Sequence, residues 1–235
     1  MPHEMTAAEL AIVAFNPSYT GVREDVLGII DRTPHSVLDV GCATGATGEF
    51  LRARHGSQVT GIEFDAGMAE VARKKLFAVH VADLNRTSLG ELLPGERYDL
   101  ILFGDVLEHL VDPWTTLREA RSLLSEQGII VASLPNVAHY STLINLALFR
   151  RWPYRERGIH DRTHLRFFTR KNLLELYAQA GLCVLRERRK LRLIETPSPW
   201  NAAARWLDFH PFRSYLTFQY IHLLQVAANA PAARP

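Results

Sequence analysis

The run Ser-Val-Leu-Asp-Val-Gly-Cys-Ala-Thr-Gly-Ala-Thr-Gly at 36–48 sets an acidic side chain, Asp39, two positions ahead of a turn of small residues. Apolar Val37, Leu38 and Val40 read as a strand, Gly41 and Gly45 as the turn, and Glu49, Phe50 and Leu51 as the helix behind it. That geometry brings backbone N–H groups close to a bound nucleotide. The G-x-x-x-G-x-x-G spacing of Gly41, Gly45 and Gly48 is not the G-x-G-x-x-G of a dinucleotide binder. Asp39 would repel phosphates and suits a phosphate-free ligand with a cationic, amino-bearing tail. Two more carboxylates close later strand-like runs: Glu63 in Val-Thr-Gly-Ile-Glu-Phe-Asp and Asp83 in His-Val-Ala-Asp-Leu. Ligands of open α/β sheets lie at such carboxyl ends. There Glu63 can accept from two ribose hydroxyls, and Asp83 can receive an adenine amino group.

A second group offers proton or metal chemistry. Phe-Gly-Asp-Val-Leu-Glu-His-Leu at 103–110 carries Asp105, Glu108 and His109. On one helical turn i and i+3 share a face and i+4 lies beside them, so these are suitable ligands for a divalent cation such as Mg²⁺. His160 and His164 follow at i, i+4. A neutral histidine there can instead take a proton from a hydroxyl near physiological pH, so base and metal both stand as readings of His109, His160 and His164.

These groups need a scaffold of alternating strands and helices, which predicts a mostly parallel sheet with helices on both faces. Strands are expected at 36–40, 58–63, 78–82, 98–103 and 128–133, then at 183–188 and 215–227. Helices are expected at 47–54, 66–75, 113–125 and 172–181, with Pro113 at a helix start. Residues 7–31 are expected to add helices over the ligand. Stretches 136–169 and 192–214 break the alternation and read as cap insertions in a single domain of 1–235. Trp200, Trp206, Phe209, Phe212 and Tyr215 read as core packing under a long loop.

The chain of 235 residues carries 47% hydrophobic and 22% charged residues, ordinary for a globular protein. A net charge of +2 does not by itself call for a nucleic-acid partner, and no DNA is expected. Two distant cysteines, Cys42 and Cys183, exclude a disulfide framework and fit a reducing cytoplasm. There is no apolar run of membrane-spanning length, and acidic Glu4 and Glu9 argue against a secretion signal. Between Arg150 and Lys171 eight Lys/Arg face only Glu156 and Asp161. This basic cap points to an anionic acceptor.

Residues 36–48 resemble motif I, D-x-G-C-G-T-G, of the class I S-adenosylmethionine-dependent methyltransferases, with Ala43 where the family often has a third glycine. The E-V-L-E-H-L of that family is similar to 105–110, and 123–131 is similar to its L-x-P-G-G turn. The resemblance is closest to bacterial small-molecule O-methyltransferases of the ubiquinone and glycan or secondary-metabolite type. It implies a Rossmann-like seven-stranded, mostly parallel sheet with an antiparallel last strand, plus a cap. It implies S-adenosylmethionine held by Asp39, Gly41, Cys42, Ala43, Gly45, Glu63, Phe64, Asp83, Leu84, Gly104 and Asp105. The reaction implied is methyl transfer to an oxygen of a small, anionic acceptor in a cytoplasmic enzyme that could form a homodimer. The rivals are N-methylation of an amino sugar or small amine, RNA 2′-O-methylation, and a non-catalytic cofactor-binding module. The stretch 158–170 resembles the H-x-F-x-W-T-R segment of small-RNA 2′-O-methyltransferases, which implies His164 as a fourth metal ligand beside Asp105, Glu108 and His109.

Overall fold

The computed structural model describes residues 20–228 apart from 197, 210 and 211. The first part of the expected helices of 7–31, residues 7–19, therefore lies outside the described residues. Within them a short helix, α1 (Glu24–Leu27), precedes the first strand.

The alternation then runs β1 (Ser36–Val40), α2 (Ala46–His55), β2 (Gln58–Glu63), α3 (Ala66–Arg73), β3 (Ala78–Val81), α4 (Leu89–Leu92) and β4 (Tyr98–Gly104). A 3₁₀ turn (Leu107–His109) leads to α5 (Pro113–Ser122), β5 (Leu124–Pro135), α6 (Tyr140–Ala147), α7 (Arg170–Gln179) and β6 (Leu182–Leu191). A 3₁₀ stretch (Pro199–Leu207), α8 (Phe212–Leu216) and β7 (Thr217–Val226) complete the described chain.

The seven strands form one sheet in the order β3-β2-β1-β4-β5-β7-β6. The β1–β5 ladders are parallel, and β7 lies antiparallel to both β5 and β6. The single reversed strand is thus the last one, as expected. Buried strands alternate their side chains between two cores. Leu38, Val40, Ile101, Phe103 and Ile130 enter one core with α5 and α7. Val37, Leu100, Leu102, Ile129 and Val131 enter the other with α1, α2 and α3.

Local chemistry sets the ends of the helices. Asp65 and Asp112 cap α3 and α5 by accepting from Met68 and Thr115 N–H, and Gly56 ends α2 in the left-handed region. Thr169 and Asn172 form a reciprocal cap that starts α7 two residues earlier than expected. The expected helix 113–125 stops at Ser122 because β5 begins at Leu124. Tyr215 belongs to α8 rather than to the last strand. One expectation fails outright. Trp200 and Trp206 are 70% and 76% exposed, and Phe209, Phe212 and Tyr215 are exposed too, so this stretch is surface and not core. The stretch forms a 3₁₀ run and a five-residue helix that bury Ala204 and Leu216 and turn the aromatic rings outward.

Candidate active site

The glycine turn joins β1 to α2 with three successive requirements on the backbone. Gly41, Ala43 and Gly45 all have positive φ, at 71°, 48° and 76°. At Gly41 a Cβ would also lie 2.5 Å from Val106, so no larger residue fits. Ala43, the departure from the glycine-rich pattern, adopts the left-handed region at some steric expense.

Glu63, at the end of β2, is fastened to this turn. Its Oε2 accepts from the Ala43 N–H at 2.8 Å and its Oε1 from the Asp65 N–H at 2.9 Å. Each oxygen keeps a lone pair for another donor. Phe64 beside it is exposed. On the next strand loop, Asp83 accepts from the Asn85 N–H at 3.0 Å, and Asn85 in turn accepts from Val111 N–H at 2.7 Å. That pair of contacts holds the Asp83–Leu84 loop against the segment after β4.

Asp39 lies beneath the turn, buried, and its Oδ2 has no partner among the described residues. Burial, and then the negative charge of Glu63, pushes its carboxyl up to about 7, with Arg23 opposing. A cavity of about 60 Å³ opens here, lined by Asp39, Gly41, Ala43, Thr47, Gly104 and Arg23. A buried acid without a donor, at the edge of a cavity, fits a cationic head such as an ammonium group.

Asp105 is the next group along. It takes φ 61°, a conformation in which Asp is tolerated better than most residues. Its carboxylate accepts from Arg23 at 2.9 Å, from the Ser133 hydroxyl at 2.9 Å, and from the Gln219 amide. Arg23 also donates to Asp25 at 3.0 Å. Burial opposes the charge on Arg23, but Asp105 and Asp25 more than restore it. Arg23, Ser133 and Gln219 were not foreseen. They come from the residue that precedes α1, from β5 and from β7, and only the fold brings them together.

The expected metal set is reshaped. Donor atoms of Glu108, His109 and His164 lie within 4.8 Å of one another, whereas Asp105 is turned into the Arg23 network and does not join them. Glu108 is 1% exposed, and neither carboxyl oxygen has a hydrogen-bond partner among the described residues. Burial, with the charge of Asp105 next, raises its carboxyl well above the usual range. His164 Nε2 stands 4.0 Å from Glu108 Oε1. The Nδ1 of His109 faces the Thr163 carbonyl at 3.2 Å, and that of His164 faces the Ile159 carbonyl at 3.3 Å. A carbonyl only accepts, so each Nδ1 carries the proton and each Nε2 keeps a lone pair. Burial, and then His109, lowers His164 to about 4. The backbone ties the cluster together, since Leu165 and Arg166 N–H groups both donate to the Glu108 carbonyl, at 2.8 and 3.0 Å.

His160 does not belong to this cluster. It is wholly buried within the cap, with Nε2 3.0 Å from Thr142 Oγ1, Nδ1 3.5 Å from Glu195, and its ring edge-on to Trp152. Residues 158–164 form a turn-rich loop, and His160 and His164 sit in separate surroundings within it. The basic cap is also less open than its composition suggested. Arg155 pairs with Glu195, Arg162 with Glu156 and Arg170 with Glu187, while Arg166 donates to the Val111 carbonyl.

Comparison with known proteins places this geometry. A family profile described as a methyltransferase domain matches residues 19–187. The ubiquinone biosynthesis O-methyltransferase of Ruegeria pomeroyi is 32% identical over 151 residues, 62% of this chain and 59% of that one. Its counterpart in Cereibacter sphaeroides is 30% identical over 179 residues, 73% of this chain and 69% of that one. The chain thus spans well under two thirds of the length of the first of these relatives. An S-adenosylmethionine-dependent methyltransferase from Archaeoglobus fulgidus shares the fold at 18% identity, with a TM-score of 0.59 over 86% of this chain and 90% of that one. A magnesium protoporphyrin IX methyltransferase from Synechocystis does so at 14% identity and TM-score 0.54, over 81% and 74%. The chain belongs to the methyltransferase domain family and shares the fold of S-adenosylmethionine-dependent methyltransferases.

Proposed function

We propose that this enzyme methylates a hydroxyl oxygen of a small acceptor. The observation that carries the proposal is the pairing of two half-sites across β1, β2 and β4. Unpartnered Asp39 lies under the glycine turn with Glu63 beside it. The two Nε2 lone pairs of His109 and His164 lie beyond the end of β4. Asp39 would hold the ammonium of S-adenosylmethionine, the backbone N–H groups of 41–45 its amino-acid portion, Glu63 the ribose, and Phe64, Asp83 and Leu84 the adenine. When bound, the sulfonium supplies the methyl group. Gly104 and Asp105 would border the acceptor, and His164 or His109 would accept the hydroxyl proton as the oxygen becomes nucleophilic. The relatives' names support oxygen over nitrogen as the target.

One observation favours a second reading of the same histidines. Two imidazole lone pairs and a buried carboxylate without a donor are also the donor set for a borderline divalent cation. Glu108, His109 and His164 would hold it, and it would lower the pKa of an acceptor hydroxyl. Mn²⁺ titration followed by electron paramagnetic resonance distinguishes the two. A bound signal lost in Glu108→Gln supports the metal. Its absence, with full turnover in excess EDTA, leaves the histidines as bases.

Because most cap arginines already have partners, we do not assign the acceptor a charge. Radiolabelled S-adenosylmethionine presented with catechols, amino sugars and structured RNA tests the class. Label transferred to an acceptor oxygen is the expected outcome. Label only on amine nitrogen or RNA overturns the proposal.

A further inference from the structure

The 3₁₀ run Pro199–Leu207 and α8 hold a row of rings in water. A 3₁₀ helix repeats every three residues, so Trp200, Ala203 and Trp206 share one edge, and Asn201 and Ala204 fall on another. The second edge faces the protein. Ala204 is buried, and Asn201 accepts from the backbone N–H of Leu193 and Ile194 at 2.9 and 2.8 Å and donates to the Thr196 carbonyl at 3.0 Å. The first edge therefore points outward, with both indoles exposed. Leu207, Phe209, Phe212 and Tyr215 extend the apolar surface, and the rings of Phe209 and Phe212 meet edge to face at 5.5 Å. The row is held in place. Asp208 accepts from Arg189 of β6 at 3.1 Å and from Arg213 at 2.9 Å, and buried Leu216 anchors the end of α8. At 150–250 Å² per aromatic side chain, the exposed part of these residues comes to roughly 600 Å². That is the upper end of the largest patch on an ordinary monomer, and it approaches the roughly 800 Å² that each partner gives to a stable interface.

We propose that this aromatic row is the interface of a twofold homodimer, in which two copies lay their Trp200–Trp206 edges antiparallel to one another. The row suits a copy of itself. Trp200 and Trp206 stand about 12 Å apart at the rise of a 3₁₀ helix, with only Ala203 between them on that edge. The gap over Ala203 admits Trp206 of an antiparallel second copy, and twofold symmetry makes the same contact twice. Tryptophan and tyrosine are the residue types that carry most of the energy of such interfaces. Charge does not stand in the way. Asp208 and Arg213 neutralise each other beside the rings, so this pair opposes no second copy and gives an anionic lipid surface nothing to attract. The dimer would also cover the second cap insertion, which Glu195 ties to the first.

Light scattering after size exclusion, with equilibrium sedimentation over a range of concentrations, tests the proposal on the full chain. Wild type should show twice the 26.6 kDa of one chain, and its melting temperature should rise with concentration. Trp206→Glu should raise the dissociation constant of the dimer on the order of a hundredfold. Ala203→Glu should do the same, although it leaves both indoles in place, because it fills the gap between them. Circular dichroism of both variants should match wild type, which shows that they are folded. A gentler change, Trp206→Ser, keeps the test open if a charged variant fails to fold. A wild type that stays monomeric at high micromolar concentration overturns the proposal, as do folded variants that dimerise as tightly as wild type. It is equally overturned if monomeric wild type pellets with phosphatidylglycerol vesicles and Trp206→Ser does not, since the row would then belong to lipid.

Discussion

Arg23 Nη1 stands 2.9 Å from Asp105 Oδ2, so a residue that precedes the first strand is anchored to the end of the fourth. Arg23 lines the cavity beside the glycine turn, and Asp105 follows Gly104, which lines it too. The two side chains of the pair are 26% and 36% exposed, so solvent screens the interaction. Asp105→Asn should therefore cost only about 1 kcal/mol in urea denaturation. It should weaken S-adenosylhomocysteine binding more than it weakens the fold, because Arg23 then loses one of the three groups, with Asp25 and Ser133, that hold it at the cavity. A stability loss with no change in calorimetric affinity would confine the pair to a structural role.

Glu63 holds the Ala43 N–H, and under the proposed function it would offer its remaining lone pairs to a ribose. Glu63→Gln keeps the shape and removes the charge, and should weaken S-adenosylhomocysteine by about 1.5–3 kcal/mol. Glu63→Ala also frees the turn and should lose more. Calorimetry with NAD serves as the control, since Asp39 repels a pyrophosphate and no binding is expected.

Asp39 gives a pH signature. Its folded pKa of about 7 is above the ordinary carboxylate value, so the free protein binds this proton more tightly than the unfolded chain does. Its contribution to stability is therefore greatest at low pH and declines as pH rises from about 4 to 7. Cofactor binding should run the other way, because only the carboxylate pairs with an ammonium. The dissociation constant of S-adenosylhomocysteine should rise by up to about tenfold per pH unit below 7. In Asp39→Asn the profile should be flat and the affinity lower throughout. A wild-type profile flat between pH 5 and 8 would remove Asp39 from the ammonium site.

Glu195 ties the two cap insertions together. Its side chain is 9% exposed, and it pairs with Arg155 at 2.9 Å and His160 at 3.5 Å. Burial works against its charge, yet hydrogen bonds with His160 and Ser141 and the charge of Arg155 hold it down at about 2. A depressed carboxylate stabilises the fold above the unfolded pKa near 4.5 and loses that contribution as pH falls toward 2. Glu195→Gln should lower the melting temperature at pH 7, by an amount that shrinks as pH falls to about 3.5. An equal difference at both pH values would mean that the contact acts through shape and not charge.

The sheet was legible because each strand announced itself locally. Asp39, Glu63 and Asp83 fell at strand ends that apolar runs and turn residues already marked. What escaped the sequence was long-range or irregular. Gln219 reaches Asp105 only because β7 inserts beside β5, and no spacing in the chain encodes that neighbour. Spacing alone could not separate His160 from His164 as donor or base, because the loop that carries them sends one ring toward Thr142 and the other toward Glu108. The aromatic stretch from Trp200 to Tyr215 looked like core because composition carries no information on which side of a short 3₁₀ element faces outward.

The placement of β7 also orders the birth of the fold. β5 and β6 precede it in the chain, yet β6 joins the sheet only through β7. While the ribosome is still making residues 217–226, β5 has an open edge and β6 has no neighbour. Two of the seven strands therefore wait on contacts of long sequence separation, which close slowly and leave strand edges available to other chains. A nascent chain stalled before Thr217 would be a sticky intermediate, and synthesis of this enzyme should depend on chaperone capacity more than its final stability suggests.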